Sequence, residues 1–400
     1  MKLQNLLYAT MVACAFSACS NDDDPNIPDP ALELDATLTV GFSAIGANNA
    51  PSTFSTPETR SNAEGSEVGT VGMAIFKESG ELINYKEQSV TGSAIDSTAC
   101  IAVKSGNVKV LVVVNPSTDA FAGLNDIEGF KAAVTNNVEL ASDKPIMASA
   151  VVDVEVKKGR NVLASEGSIS SFPNVENSIT AKGNIKVFRN IANIQLKSIA
   201  VKAREDFKNA TLKVKKVYVM NYRNGVMYFG AATPWCPVVN SAAAIVPNKS
   251  GSVSTDKYTH VFTSSVDVAD GASTEASALK PANFFVYDNS SATKLASNVT
   301  TLVIEGDFIY TAGNGATITE ENKTWPVPLN NVAPQAGTDN VDYQNLTSHC
   351  GVLRNVQYIV NATITGPGSD DPETPSDAAS LTANIDVVQW GTVELNENID

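Results

Sequence analysis

The chain has 400 residues, a formal net charge of −15 and a pI near 4.6, a length that fits two domains once an N-terminal leader is removed. A hydrophobic fraction of 43% excludes wholesale disorder, and 44 Val against 21 Leu favour strands over helices. An acidic chain without a Lys/Arg cluster repels phosphate backbones, which excludes nucleic acid as a partner, and two histidines leave little for His-based catalysis or metal binding.

Residues 1–18 read as a secretory signal peptide. Met1-Lys2 leads into the apolar run Leu6–Phe16, and Ser17-Ala18 offers a small-residue exit. The run is far short of the roughly 20 residues needed to span a bilayer. Phe16-Ser17-Ala18-Cys19 resembles the bacterial lipobox, which makes Cys19 the expected site of lipidation. The acidic run Asp22-Asp23-Asp24 reads either as a solvated spacer or, by resemblance, as an export tag of surface lipoproteins. With Cys14 removed and Cys19 lipidated, Cys100, Cys236 and Cys350 remain, too widely spaced for a disulfide framework or a zinc pair. They are expected to be free and buried.

Beyond the acidic run the chain reads as strands. Ala36–Ile45 alternates, with Leu38, Val40 and Phe42 on one face. Residues 46–67 are rich in Ser, Thr, Asn, Pro and Gly and read as an exposed loop, in which Arg60 is the only Lys or Arg between Lys2 and Lys77. Val68–Phe76 turns into Leu82–Tyr85, and Ile101–Lys104 turns through Ser105-Gly106-Asn107 into Val108–Val114. A short helix is expected with Asn125 as N-cap, Glu128 at N3, and Ile127, Phe130 and Val134 on one face. Strands resume around Ile146–Val156, followed by a turn at Lys158–Asn161. The polar stretch 164–184 marks a domain boundary. A second β domain follows, with strands at Ile185–Ala203, Ala210–Asn221, Gly225–Phe229, Asn283–Tyr287, Val299–Ile309, Trp325–Leu329 and Val356–Ile364. Gly366–Ser380 is a Gly/Pro/Asp/Ser-rich linker, long enough at fifteen residues to bridge roughly 50 Å when extended. Leu381–Leu395 alternates again: Leu381, Ala383, Ile385 and Val387 share one face, and Val388 and Trp390 fall on the other parity, which suggests a bulge or bend.

No P-loop, dinucleotide fingerprint, HExxH or GxSxG occurs, so no enzyme is expected, and no catalytic, cofactor-binding or metal-ligating residue is assigned. His349 beside Cys350 is not a thiol–imidazole pair, because strand neighbours point apart. Asp370-Asp371 with Glu373 lacks the spacing of a calcium loop and reads as flexible linker.

Near the C-terminus, Leu353-Arg354-Asn355-Val356-Gln357-Tyr358 leads to Ile364-Thr365-Gly366-Pro367-Gly368 and then, past the linker, to Ile385-Asp386-Val387-Val388-Gln389-Trp390. This order resembles the end of FimA-type major fimbrial subunits (fimbrillins) of Bacteroidetes, which build type V pili. Gly106–Pro116 and Pro145–Asn161 look like strands of the family's first domain.

The resemblance implies an all-β fold of two transthyretin-like β-sandwich domains with a flexible C-terminal donor strand. The expected organisation is a signal peptide (1–18), a lipidated propeptide with the first strand (19–60), an N-terminal sandwich (61–182), a C-terminal sandwich (183–365), and a linker with donor strand (366–400). It also implies an assembly route. The precursor is an outer-membrane lipoprotein through Cys19, and an Arg-specific protease cuts between Arg60 and Ser61. The first strand (Leu38, Val40, Phe42) then leaves, and the donor strand of another copy (Leu381, Ala383, Ile385, Val387, Val388, Trp390) fills the groove. A sandwich missing a strand exposes unpaired N–H and C=O groups and an apolar slot, a strong template for strand addition. The implied function is the stalk subunit of a cell-surface fimbrium, supporting adhesion and biofilm formation. Its partners would be copies of itself, accessory pilins, the protease, and host or bacterial receptors that the sequence does not identify. The alternatives are an accessory tip or anchor pilin, or a surface lipoprotein that binds glycans.

Overall fold

The computed structural model describes residues 34–40, 69–89, 100–136, 144–164, 176–180, 186–229, 244–252, 258–274, 279, 283–291, 295–330, 350–373, 380–389 and 393–394. The first part of the chain contains β1 (Ala36–Val40), β2 (Thr70–Lys77), β3 (Leu82–Ser89), β4 (Ile101–Val103), β5 (Gly106–Val114), helix α1 (Ile127–Ala132), β6 (Val134–Asn136), β7 (Met147–Ser149), β8 (Val152–Val156), β9 (Gly159–Ala164), β10 (Asn177–Thr180) and β11 (Lys186–Arg189). One sheet has the order β10-β9-β1-β4 and packs on a second that runs β11-β7-β5-β2-β3, with β8 also on β5. Leu38 and Val40 of the first sheet meet Val71, Met73, Ile75, Val110 and Val112 of the second in one core.

β2 and β5 read as near-continuous apolar runs because both of their faces are covered. The opposite face, with Ala74, Phe76, Leu111 and Val113, packs under α1, Phe121, Phe130 and the distant Tyr228 and Phe229. Phe121 stacks on Phe130 at 4.7 Å between centroids, and Phe76 meets Phe130 edge-on at 5.1 Å.

Several local expectations shift by a residue or a partner. The helix is capped by Asp126 rather than Asn125: its carboxylate accepts the Gly129 N–H at 2.7 Å, while the Asn125 carbonyl is engaged by the Leu82 N–H. Val134 leaves the helix for β6. β4 does not form a hairpin with β5; it pairs with β1, so Ser105 is where the chain changes sheet. Arg160 and Asn161 belong to β9, and the Asn161 side chain closes the preceding turn by donating to the carbonyls of Lys157 and Gly159.

The second sandwich is formed by β12 (Ile191–Val201), β13 (Lys208–Met220), β14 (Tyr222–Arg223), β15 (Gly225–Met227), β16 (Ile245–Val246), β17 (Thr259–Ala269), β18 (Ser273–Thr274), β19 (Asn283–Tyr287), β20 (Asn289–Ser291), β21 (Thr301–Thr311), β22 (Thr317–Pro328), β23 (Cys350–Val352), β24 (Val356–Ile364) and β25 (Leu381–Gln389). Its sheets run β18-β12-β24-β25, with β19 also on β12, and β17-β13-β21-β22. Between them lie Ile194, Leu196, Leu212, Val214, Ile304, Phe308, Trp325, Tyr358 and Val360, all buried. β13 bulges between Val214 and Lys216 against both neighbours. Opposite the bulge stands Gly306, where a Cβ would lie 2.2 Å from the Lys213 carbonyl oxygen, so only glycine fits.

β11 falls in the segment 183–365 assigned from sequence to the second domain, yet it is hydrogen-bonded to β7 in the first sheet. The chain passes from one sandwich to the other at Asn190. A last strand, β26 (Val393–Glu394), returns from the second sandwich and pairs with β11 at the edge of the first.

Candidate functional site

β1 is an interior strand. On one side it runs parallel to β9, from Ala36↔Gly159 to Val40↔Leu163, and on the other antiparallel to β4, from Ala36↔Val103 to Leu38↔Ile101. Its alternation is expressed in full, since Ala36, Leu38 and Val40 are buried, the latter two completely. Asp35 pins the start of the strand. Its carboxylate accepts the Ser105 backbone N–H at 2.7 Å and the Ser105 hydroxyl at 2.9 Å, and Lys158 lies at 3.4 Å. The Ser105 hydrogen bonds, the backbone N–H first, hold the Asp35 carboxyl below its ordinary range. Taking β1 away would leave β9 and β4 each with an unpaired edge and open a slot lined by Val71, Met73 and Val112. Phe42 lies outside the described residues, as do Cys19, Arg60, Ser61 and Trp390.

At the other end of the chain, β25 is an edge strand, antiparallel to β24 in unbroken register from Ile364↔Leu381 to Val356↔Gln389. Leu381, Ala383 and Ile385 are only partly buried against the second core. Val387 and Val388 stand opposite Tyr358 and Gln357, so no bulge interrupts the pairing where the apolar parity slips. The change of parity comes instead just before the chain moves to the other sandwich as β26.

The linker is less free than its composition suggests. The Trp325 indole N–H donates to the Gly366 carbonyl at 3.1 Å. Thr324 and Ser369 exchange two backbone hydrogen bonds, of 2.8 and 2.9 Å. Lys323 pairs with Asp370 at 2.6 Å, and Lys249 pairs with Glu373.

A third group of residues joins the two sandwiches and was not singled out for this role from sequence. Arg354 is completely buried; it donates to Asp288 (3.0 Å), to Asn190 (3.2 Å) and to the carbonyls of Met227 (3.0 Å) and Tyr228 (3.4 Å). Arg189 in turn donates to the Asn355 side chain at 3.4 Å. Two Arg-Asn dipeptides, 189–190 and 354–355, are thus crossed at the waist of the molecule. Arg-Asn occurs four times in the sequence, at 160–161, 189–190, 223–224 and 354–355, so the dipeptide by itself does not mark the two that meet here.

Cys100, expected to be a free thiol, is disulfide-bonded. It lies half-buried just ahead of β4, and an exported chain passes through an oxidising compartment in which such bonds persist. Among the described residues, no group of His, Cys, Asp and Glu is arranged to hold a metal ion, and no helix is long and apolar enough to cross a membrane.

Residues 36–189 match the family model of the major fimbrial subunit protein (FimA), and residues 191–390 match that of the FimA4 pilin C-terminal domain. The two matches meet at Asn190, where β11 passes into β12. The chain is 24% identical over 424 residues to the major fimbrium subunit FimA type-2 of Porphyromonas gingivalis, and 24% identical over 425 residues to the FimA type-3 subunit of the same organism, with 99% of each chain covered. Its fold is similar to that of a fimbrilin (FimA) from Porphyromonas gingivalis W83, with a TM-score of 0.60 at 16% identity over 91% of this chain and 99% of that one.

Proposed function

The chain belongs to the FimA-type fimbrillin family and is a structural subunit of a cell-surface fimbrium rather than an enzyme, and from that premise we propose that it is the stalk subunit and polymerises by strand exchange. The exchange replaces β1 of one copy by β25 of the next. The observation that carries this reading is the unequal burial of two strands with the same alternation. β1 is interior, with Leu38 and Val40 fully buried, whereas β25 lies on an edge with Leu381, Ala383 and Ile385 only partly buried. Moving β25 into the slot of a neighbour therefore increases its burial, and each branched side chain gains a fraction of the about 1.5–3 kcal/mol that full burial from water provides. By sequence the two strands offer the same number of apolar positions at period two: Ala36, Leu38, Val40 and Phe42 on the first strand, and Leu381, Ala383, Ile385 and Val387 on the donor.

The gate on this exchange is the segment 41–67, which connects β1 to the β2 region and carries Arg60. Cleavage between Arg60 and Ser61 leaves β1 attached only by its ladders, by its packing and by Asp35. Before the cut, lipid on Cys19 holds the precursor at the outer membrane; a palmitate analogue should label the wild-type precursor, and a Cys19→Ala form that still takes up label would exclude this. Accessory pilins are the partners expected at the filament ends.

The assembly reading is tested in a strain deleted for this gene and complemented with Ile385→Asp, which places a charge on the donor face. Filaments should be restored by the wild-type gene and not by the variant, while the variant is still exported and cut at Arg60. Normal filaments from Ile385→Asp would rule out β25 as the donor.

A further inference from the structure

We propose that the donor arm pivots after Glu373, because residues 366–373 form a latch that stays fixed to its own subunit when β25 moves. The proposal rests on the strand-exchange reading and specifies where the moving part of the chain begins. The contacts of the latch are made by β22 and by the turn that carries Lys249, none of which belongs to the exchanged strands. The Trp325 indole, itself completely buried, holds the Gly366 carbonyl. Thr324 and Ser369 form a two-hydrogen-bond bridge, to which the Thr324 hydroxyl adds a third bond by donating to the Ser369 carbonyl at 2.9 Å. Lys323 draws Asp370 to 2.6 Å, and Lys249 draws Glu373. The Asp371 N–H donates to the Ser369 hydroxyl, and the Glu373 N–H to the Asp371 carboxylate, so the segment is also braced internally.

Gly368 shows how closely this segment is seated. A Cβ there would lie 2.3 Å from the Thr324 carbonyl oxygen and 2.9 Å from the Trp325 ring. Such an approach is open only to glycine, and a linker selected for reach alone has no need of it.

The attachment on the far side of the linker is of a different kind. Ser380 is held by a backbone hydrogen bond from Thr365, and it continues directly into the β24–β25 ladder. Peeling β25 from β24 therefore breaks the Ser380 contact in the same motion and leaves the β22 contacts untouched. The arm that swings then comprises residues 374–380 and the donor strand. Seven linker residues span at most about 25 Å, half of what the whole Gly366–Ser380 segment would allow. A short tether of this kind fixes the spacing between subunits and raises the effective concentration of the donor near a neighbouring slot.

Two disulfide locks in the full-length precursor, cut with an Arg-specific protease, test the pivot and its premise separately. Lys323→Cys/Asp370→Cys joins the two ion-paired positions beside the Thr324–Ser369 bridge and locks the latch. Ala362→Cys/Ala383→Cys joins directly opposed residues of β24 and β25 and locks the donor. Under oxidising conditions the latch-locked protein should polymerise within about twofold of its own reduced form, whereas the donor-locked protein should fail until reductant is added. Failure of the latch-locked protein, with recovery on reduction, would overturn the pivot alone. Polymerisation by the donor-locked protein would overturn the exchange and the pivot with it. Hydrogen exchange on wild-type filaments supplies an independent reading: the Ser369 amide should stay as protected as in the monomer, and its loss of protection on assembly would overturn the latch.

Discussion

Arg354 carries a guanidinium with no exposure into the joint between the sandwiches, and its neighbours explain how it can be there. A charge in the interior is tolerated only with a charged partner and with hydrogen bonds to the remaining donors. Asp288 supplies the first, and Asn190 with the carbonyls of Met227 and Tyr228 supplies the second for the two terminal nitrogens. Replacing Arg354 with Met takes from Asp288, 5% exposed, its ion-pair partner and leaves it only the more distant charge of Arg223. The expected loss is about 3–5 kcal/mol of unfolding free energy in denaturant titrations; a loss below about 1 kcal/mol would show that the joint does not depend on this pair. Lysine should rescue poorly, because a single ammonium cannot reach side chains and carbonyls in several directions at once. The dipeptides at 189–190 and 354–355 are two of four Arg-Asn pairs visible in the sequence. Their meeting is not visible there, because it depends on β12 and β24 lying parallel, in a register that sets Asn193 beside Gln357. Asn355 also adopts a left-handed backbone (φ 58°), a conformation that asparagine tolerates and that fits the tight entry into β24.

Among the elements, β1 and β25 were recognisable from alternation alone, and β24 and β19 fall within the bounds expected from sequence, because a strand with one buried face writes its period into the chain. β17 was not anticipated: most of its residues are exposed on an edge, so no apolar period marks it. The parallel pairing of β1 with β9 was likewise hidden, since alternation fixes a face and not a neighbour. Two predictions belong to β1. Leu38→Ala should destabilise the uncut precursor by about 3 kcal/mol, as a buried Leu does when truncated, yet leave the stability of assembled filaments unchanged if strand exchange has removed β1 from them. Filaments weakened by the same amount would mean that β1 remains in place. Asp35→Asn removes the charge that Ser105 and Lys158 hold, so the segment 19–60 should leave faster after the cut at Arg60, as followed by size-exclusion chromatography. The pH dependence has a definite sign. Because the folded carboxyl titrates below its ordinary value of 3.8, its hold on β1 is present above that pH and is lost as pH falls through the lower folded value. Release from wild type should thus accelerate in acid, and release from Asp35→Asn should show less of this acceleration. Equal acid acceleration in both would assign the effect elsewhere.

For the molecule as a whole, two β domains followed from length, composition and turn spacing, and their sandwich form from the family resemblance, while the seating of the linker on β22 followed from neither, since acidic and Pro-rich residues read as solvated until their lysine partners are placed opposite them. Charge bears on assembly too. The proposed cut at Arg60 would leave a product that keeps 26 of 28 basic and 36 of 43 acidic residues, a net charge of −10. Copies so charged repel one another at a distance, with screening over about 8 Å at physiological salt, so the contact that joins them has to be short-ranged and apolar. β25 meets that requirement, and its removal isolates its contribution. Protein ending at Ser380 and cut at Arg60 has a slot but no donor. Alone it should remain a folded monomer; added to full-length subunits, it should be accepted at a growing end and then offer nothing to the next copy. Filament length measured by electron microscopy should fall in inverse proportion to the fraction added, with no change in filament width. The uncut precursor, which has a donor and a filled slot, should terminate only the opposite end, so the two together should shorten filaments more than either does separately. Filaments built by the truncated protein alone, or lengths insensitive to its addition, would mean that the subunits are joined through some other surface.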